Sequence, residues 1–416
     1  MSQAGQSAEP EAQRRRLAVQ MVRAGHQPDE IAQQLERSRR WVYHWIAYQR
    51  QHPHTRFRSA SRAPHHHPNR TPRSVERRVL QVRQTLQHRR NPRLRYAPIG
   101  PRTIRRELVK RRVKPVPSLS TIQRIVQRRG LTHSNTANPS EPYRPHPPAE
   151  YPNAVQATDI ITRWIEGGET VQTFTTVDLF SNAASATSQA HKSADAARQY
   201  LLQTWQTLGV PNLAQFDNES VFSGGRHPHV LGRTVRLCLY LGIEVLFTPE
   251  DEADYNWEIE AFNNLWAHQF WATHHFTHRY RIPPAQRAFL RWHYSDYVAP
   301  RQTDTPARLR RGHPIYHLSK SLAAQIPASL PICAGWVHAV RYVSDEGRVT
   351  FLNESFRVGK RHAGQYVWLT LCTTQQRLTV YYQAQAENVW QTLKVFPYPL
   401  DEPVQPVPKH CACLHA

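Results

Sequence analysis

Three acidic residues supplied by separate elements are the part of this sequence best suited to chemistry. Asp159 and Asp217 each lie at a strand-like apolar run, and a third carboxylate, Glu260 or Glu258, lies on an apparent helix that follows an acidic segment. Mg²⁺ prefers hard oxygen ligands and keeps several of its waters, so three carboxylates suffice to hold it. Two such ions can stabilise the attacking and leaving oxygens when a phosphodiester is cleaved. The trio therefore predicts a metal site that cuts DNA.

The third position of this trio has a rival, Glu258. It lies two residues before Glu260, so on a helix the two side chains point about 200° apart and only one can face a metal. The neighbouring residues leave this choice open. Asn256, before the same helix, can either orient substrate or cap the helix. Asp178, at another strand end, is interpreted as structural, and Glu219 as a supporting neighbour of the trio.

The positive charge of the chain is concentrated near its N-terminus. Residues 1–150 hold 31 Lys and Arg against 9 Asp and Glu, a net of +22, whereas the remaining 23 basic and 22 acidic residues give +1. So much unbalanced charge favours a polyanionic partner. Arg greatly outnumbers Lys there, and its planar fork suits bidentate contacts to phosphate and guanine. Double-stranded DNA is the predicted partner.

The composition indicates a soluble, folded protein of several domains. A chain of 416 residues exceeds one ordinary core, and a hydrophobic fraction of 39% can supply more than one. No apolar run approaches the roughly 20 residues of a membrane span, and the polar N-terminus lacks the apolar segment of a signal peptide. We expect no membrane partner and a cytoplasmic location, with association to the bacterial nucleoid when the protein is bound to DNA.

Residues 11–50 predict three short helices with helix-turn-helix spacing. Ser38 can cap the third helix, which in such a module enters the major groove. Its candidate DNA contacts are Arg39, Arg40, Tyr43 and His44, whereas Val42, Trp45 and Ile46 are expected in the core. The alternative is a generic three-helix bundle without a DNA partner.

A second helical region predicts another helix-turn-helix, possibly winged. Its last helix, within Ser118–Gly130, has a buried stripe of Ile122, Ile125 and Val126 and a cap at Ser120. The candidate DNA contacts here are Arg105, Arg106, Thr121, Gln123, Arg124 and Arg128. Two DNA-reading modules on one chain predict a long, composite DNA site.

The remaining chain predicts a mixed sheet with packed helices and then a small C-terminal SH3-like β-barrel. The fold class is therefore multidomain, with α-helical modules, an α/β core and a barrel. The expected domains are a helix-turn-helix at 1–50, a basic linker at 51–70, a second helix-turn-helix at 71–131, a Pro-rich linker at 132–150, a catalytic core at 151–315, the barrel at 330–400 and a tail at 401–416.

Four segments of the middle region carry a resemblance to a known family. They are Thr158-Asp159, the strand end Val177-Asp178-Leu179-Phe180-Ser181, Phe216-Asp217-Asn218-Glu219, and Asn256-x-x-x-Glu260-x-Phe262-Asn263. These segments resemble the catalytic core of DDE transposases of the retroviral-integrase type, an RNase H-like fold. The resemblance covers about residues 152–297 and extends more loosely to the terminal regions, as in bacterial insertion-sequence transposases.

The resemblance implies a function and a set of partners. Asp159, Asp217 and Glu260 correspond to the three carboxylates of the family, which bind two Mg²⁺ ions, with Mn²⁺ as a possible substitute. The implied reactions are cleavage at the ends of a mobile element and joining of the freed 3′-hydroxyl to target DNA, by a homo-oligomer on double-stranded DNA. The alternatives are a catalytically inactive DNA-binding derivative or regulator, and an RNase H-like nuclease without strand transfer.

Three features depart from the family pattern. Trp257 stands where the family often has Gly, and Ala261 stands where a basic residue commonly follows the Glu. The gap from Asp217 to Glu260 is longer than in retroviral integrases, with an insertion around residues 223–229.

Overall fold

A computed structural model describes residues 8–54, 57, 71–89, 91–129, 143–224, 227–250, 252–384 and 389–412. The chain forms two compact units, Met1–Pro72 and Arg73–Ala416. Most of the predicted basic linker 51–70, much of the Pro-rich linker 132–150 and the last four residues of the predicted tail lie outside the described residues. No described helix is long and apolar enough to cross a membrane.

The N-terminal unit is a three-helix helix-turn-helix. Its helices are α1 Ala8–Arg23, α2 Pro28–Gln34 and α3 Arg39–Gln51. Ala18, Ile31 and Val42, one from each helix, are fully buried where the three meet. The Ser38 side chain accepts a hydrogen bond from the Trp41 amide at 3.2 Å, so Ser38 caps α3 as the sequence predicts.

A second group of three helices opens the larger unit. These are α4 Arg73–His88, α5 Pro101–Lys110 and α6 Leu119–Gln127. Ile122, Ile125 and Val126 are buried as predicted. The cap of α6 is Ser118, which accepts from the Thr121 amide at 3.2 Å; the predicted cap, Ser120, is wrong because it lies inside the first turn. The described residues between 71 and 129 contain no strand, so no wing lies among them.

The rest of the described chain contains both strands and helices. The strands are β1 Val155–Trp164, β2 Thr170–Asp178, β3 Ala184–Gln189, β4 Leu213–Phe216, β5 Glu244–Phe247, β6 Trp336–Tyr342, β7 Arg348–Phe351, β8 Glu354–Arg357, β9 Tyr366–Cys372, β10 Arg377–Gln383 and β11 Trp390–Pro397. The helices are α7 Ala194–Thr207, α8 Ser220–Ser223, α9 Arg233–Tyr240, α10 Trp257–Leu265, α11 Ile282–Asp296, α12 Pro306–Leu309, α13 Lys320–Gln325 and α14 Lys409–Ala412.

The first five strands form an RNase H-like core in the order β3-β2-β1-β4-β5. The pairs β1–β2 and β2–β3 are antiparallel, whereas β1, β4 and β5 run parallel. Helices α7 and α9, which connect these strands, pack in one apolar core, and α10 and α11 pack in another. The predicted mixed sheet with packed helices is confirmed.

The C-terminal strands are present as predicted, but four of them extend the core sheet. β6 pairs in parallel with β5, and β9, β10 and β11 continue the ladder in antiparallel pairs. The order of the nine-stranded sheet is β11-β10-β9-β6-β5-β4-β1-β2-β3, and β7 and β8 form a separate hairpin. An open edge at β5 would leave backbone groups unpaired, and β6 satisfies them. The sequence predicted a separate barrel because alternation shows that a segment is a strand but does not show which strand it pairs with.

Candidate active site

The two predicted aspartates lie side by side at the centre of the sheet. The parallel ladder of β1 and β4 runs to the pair Thr158 and Phe216, so Asp159 and Asp217 occupy the next position in register. Neighbouring strands lie about 4.8 Å apart. Both residues are partly buried. Their carboxyl groups are therefore neighbours in surroundings where little water screens their charges.

Burial and proximity raise the pKa values of both aspartates. Burial is the main cause for Asp217, the negative charges of Asp159 and Glu219 add to it, and the pKa of Asp217 is about 7. Burial also raises the pKa of Asp159, against hydrogen bonds from the Ile160 amide and Asn263 that lower it. The Asp159 carboxylate makes Asp217 more difficult to ionise, and a cation bound between them would relieve that cost.

Helix α10 holds an amide against Asp159. Asn263 Nδ2 donates to Asp159 Oδ2 at 2.6 Å, and Asn263 Oδ1 accepts from Thr175 Oγ1 of β2 at 3.0 Å. The side-chain amide therefore orients the carboxylate. The sequence predicted no separate role for Asn263; the only signal was its position three residues after Glu260, less than one helical turn away.

The Asn263 contact defines which side of α10 faces the aspartates. At about 100° per residue, Glu260 lies about 60° from Asn263 around the helix and Glu258 about 140° away. Glu258 instead lines a cavity of about 170 Å³ with Trp257 and Arg301. Burial raises the pKa of Glu258 to about 7, against the charge of Arg301. The helix thus turns Glu260 toward the side of Asp159 and Glu258 away from it.

Asn256 links the start of α10 to β4. Its side-chain oxygen accepts a hydrogen bond from Gln215 Nε2, and its side chain makes no cap bond to α10. Of the two interpretations left open by the sequence, helix capping is therefore not realised. The bond holds α10 beside the strand that leads into Asp217.

Two basic side chains stabilise the surroundings of Asp217. Lys192 Nζ contacts the two Glu219 carboxylate oxygens at 2.9 and 3.0 Å. Arg341 of β6 donates to Asn218 Oδ1 and to the Thr248 carbonyl, both at 2.7 Å. The extended sheet therefore positions the loop after β4. The sequence did not indicate this role of Arg341, because Arg341 and Asn218 lie 123 residues apart in the chain.

The donor chemistry of the site fits a divalent cation. Asp159 and Asp217 offer hard carboxylate oxygens from adjacent strands, which are the ligands that Mg²⁺ prefers. In the part of the chain that the structure describes, no group of three His, Cys, Asp or Glu side chains is already arranged to hold a metal ion. The aspartate pair is thus the preassembled part of the predicted trio.

The predicted DNA contacts of the N-terminal unit lie on the outer side of α3. Arg39, Arg40, Tyr43 and His44 are all exposed. Arg39 Nε lies 3.1 Å from Asp29 Oδ1, so part of its charge is balanced within the unit. Trp45 is partly buried beneath the Arg15 guanidinium, 4.3 Å from the ring centre, as expected for a core position.

The predicted DNA contacts on α5 and α6 differ in what they touch. Arg105, Arg124 and Arg128 are exposed, and Thr121 and Gln123 are partly buried. Arg106 donates to the Asp296 carbonyl at the end of α11 at 2.8 Å, so it anchors α5 to the core. Arg128 contacts Glu76 of α4 at 3.2 Å. The sequences of α5 and α6 by themselves indicate neither Asp296 nor Glu76 as a partner.

Comparisons with known proteins give one family match and several loose structural similarities. A model of the homeodomain-like domain family matches residues 9–52. The HTLV-2 integrase catalytic core domain in complex with magnesium is 16% identical, with a TM-score of 0.30 over 39% of this chain and 99% of that chain. A chain of the simian T-cell lymphotropic virus intasome in complex with PP2A regulatory subunit B56 gamma is 14% identical, with a TM-score of 0.36 over 73% of this chain and 96% of that chain.

The BIV integrase catalytic core domain is a further similar structure, 15% identical, with a TM-score of 0.28 over 38% of this chain and 93% of that chain. A search of curated proteins finds no match. The strand order, rather than these loose superpositions, defines the core. The chain combines a homeodomain-like helix-turn-helix at residues 9–52 with a mixed-sheet core, and the C-terminal strands continue that sheet.

Proposed function

We propose that the protein is a DDE-type DNA transposase or integrase, which cleaves the ends of a mobile element in a Mg²⁺-dependent reaction and joins them to target DNA. The observation that carries this proposal is the in-register placement of Asp159 and Asp217 at the centre of an RNase H-like sheet. Asn263 of α10 donates to Asp159, and Glu260 lies about 60° from Asn263 around that helix.

Each group of the site has its own task in this proposal. Asp159, Asp217 and Glu260 would hold the metal, with Mn²⁺ as a substitute for Mg²⁺. When bound, two such ions activate the attacking oxygen and stabilise the leaving one. Asn263 keeps the Asp159 carboxylate in one orientation. No side chain has to form a covalent intermediate, because water is the first nucleophile and the freed 3′-hydroxyl the second.

The helical modules would recognise the element ends. We assign residues 1–50 and 71–131 to this task, with the exposed arginines of α3, α5 and α6 contacting phosphates and bases. Residues 151–315 would carry the catalytic core, and the strands within 330–400 would support it. Cutting two ends in one event calls for more than one active site, so we assign a homo-oligomer on DNA.

A cleavage assay tests the enzymatic part. A labelled duplex carrying the inverted repeat that flanks the coding region is incubated with the full chain and Mg²⁺. Asp159→Asn and Glu260→Gln should each lower the cleavage rate at least about a thousandfold, or about 4 kcal/mol of transition-state stabilisation. Glu258→Gln, which changes the same group on the other side of α10, should keep most of the activity.

The outcomes separate the competing functions. Equal cleavage rates of the wild type and Asp159→Asn would indicate that the protein is a catalytically inactive DNA-binding derivative. Cleavage without joining of the 3′-hydroxyl to a target plasmid would leave a nuclease. Loss of activity in Glu258→Gln but not in Glu260→Gln would move the third ligand by two residues.

A further inference from the structure

A long groove follows the edge strand β3, away from the aspartate pair. It has a volume of about 820 Å³ and lies between β3, α7, α11 and the chain after α12. Arg287, Arg291 and Tyr294 of α11 form one wall, since residues three or four positions apart share a helix face. β3 lies two strands from β1, so the strand that carries Asp159 is about 10 Å away across the sheet.

This groove belongs to the most basic segment of a region that is nearly neutral as a whole. Residues 279–317 contain eight Arg and no Lys against two Asp and no Glu, a net of +6. Residues 151–416 together have a net charge of +1. The residues of this region outside 279–317 therefore have a net charge of −5. The charge is therefore a local feature of α11 and the chain that follows it.

Several arginines of this segment pair with carboxylates within the protein, but three of the four arginines that line the groove do not; the fourth, Arg310, pairs with the buried Asp178. Arg279, Arg308 and Arg310 each pair with a carboxylate, at 2.9, 3.3 and 3.1 Å. Arg287, Arg291 and Arg311 line the groove, and no carboxylate of the described chain lies within ion-pair distance of them. None of the residues lining the groove is acidic.

The groove also offers neutral hydrogen-bond donors. The hydroxyl-bearing residues Ser185, Thr187, Tyr294 and Ser295 lie along it, and Tyr294 is 42% exposed. Arginines combined with Ser, Thr and Tyr hydroxyls are the donor set that contacts DNA phosphates. Duplex DNA carries one negative charge per about 1.7 Å of its axis, so it can engage several unpaired guanidinium groups at once.

We propose that this groove binds the sugar-phosphate backbone of duplex DNA, independently of sequence and apart from the aspartate pair. The choice of DNA as the occupant rests on the proposed function. The unpaired arginines and the absence of lining carboxylates make the surface complementary to a polyanion. A backbone contact here would add a DNA-binding surface on the core itself, beyond the helix-turn-helix modules.

Binding of the full chain to a duplex without element ends tests this proposal. The double variant Arg287→Gln/Arg291→Gln is compared with Arg233→Gln/Arg279→Gln, which loses the same charge from exposed arginines that are each paired with a carboxylate at 2.9 Å. Affinity is measured by fluorescence anisotropy at several salt concentrations in EDTA. The groove variant should reduce the slope of log affinity against log salt by about 1 to 2, at about 0.9 per lost phosphate contact, and the control should not.

A direct contact is measured in a second experiment. A photo-crosslinker attached at Ser295→Cys should capture duplex DNA, whereas the same label at Thr374→Cys, in the turn between β9 and β10, should capture much less. Equal salt slopes for the two double variants, or no DNA capture from position 295, would overturn the proposal. Capture of a second copy of the chain instead would assign the groove to protein assembly.

These measurements are separable from the proposed function. They involve no turnover, so a protein that fails to cleave DNA still gives a result. Conversely, cleavage that depends on Asp159 could be established while the groove variant binds DNA like its control, which would leave the proposed function in place and remove only the groove.

Discussion

Asp159 and Asp178 lie on neighbouring strands of the same sheet, yet their surroundings differ. Asp178 is completely buried, and Arg310, only 6% exposed, lies 3.1 Å from its Oδ2. The Asn153 amide donates to Asp178 Oδ1 at 2.8 Å, and the Ser181 amide donates to Oδ2 at 3.2 Å. Asp159 instead has an amide partner and a second carboxylate, Asp217, nearby.

The comparison separates a structural carboxylate from one suited to chemistry. Burial raises the pKa of Asp178 above its ordinary value, but the Arg310 guanidinium opposes this shift from within the fold. At Asp217 the fold supplies the negative charges of Asp159 and Glu219, which raise its pKa further, and Glu219 also raises the pKa of Asp159. The interpretation of Asp178 as structural agrees with these contacts. Among the described residues, the cation that acts on the aspartate pair is Lys192, which pairs with Glu219, and no arginine pairs with either aspartate as Arg310 does with Asp178.

The largest effect on stability is expected at Asp178. Arg310→Met would leave a buried carboxylate without its cation, and the free energy of unfolding should fall by about 3–5 kcal/mol, measured by urea denaturation. Arg308→Met is the matched control, because its pair with Asp304 is exposed; its effect should stay below about 1 kcal/mol. Equal losses in the two variants would contradict the structural role of the buried pair.

A smaller effect, on activity, is expected at Asn263. Asn263→Ala removes the amide that orients Asp159, and the cleavage rate should fall about 10- to 100-fold, as for other groups that orient metal ligands. The Mg²⁺ concentration for half-maximal activity should rise as well, which a purely structural change would not cause. Asn264→Ala, at the exposed next position of α10, is the control. Equal Mg²⁺ requirements in the two variants would contradict the proposed role of Asn263 in orienting Asp159.

The smallest effect is a pH-dependent gain of stability at Asp217. Its pKa is about 7 in the fold and about 4 when unfolded, so between these values the native state holds a proton that the unfolded state lacks. Stability from this group is complete below pH 4 and lost as the pH rises through 7. Asp217→Asn should therefore be more stable than wild type by about 1–2 kcal/mol at pH 8, after allowance for partial solvent access.

This gain is checked by thermal unfolding in EDTA at pH 4.5 and pH 8. The difference between variant and wild type should be small at the lower pH and grow at the higher one. A variant that is less stable than wild type at pH 8 would mean that the Asp217 carboxylate is stabilised inside the fold, as Asp178 is by Arg310.

Much of the fold follows from patterns that lie within single segments. The burial of Val42 in α3 and of Ile125 in α6 follows from helical periodicity, and Ser38 caps α3 where a serine precedes an apolar helix. β2 spans Thr170–Asp178 and so includes the strand end Val177-Asp178 expected from the sequence. These features depend on neighbours in sequence, so the sequence contains their cause.

Contacts between distant segments could not be predicted in this way. Arg106 bonds to α11, Arg341 fixes the loop after β4, and β6 joins the edge of β5. Each of these depends on which surfaces meet when the chain packs. No period or motif in one segment specifies its partner.

The sequence by itself predicted helical modules followed by a mixed sheet with packed helices and drew attention to Asp159 and Asp217, because residue type and local periodicity suffice for both. Only the tertiary structure decided that these two aspartates are in register, that Asn263 turns the Glu260 side of α10 toward them and that Arg310 neutralises Asp178. The physical reason is that burial and electrostatic interaction depend on distances between side chains, and long-range packing sets those distances.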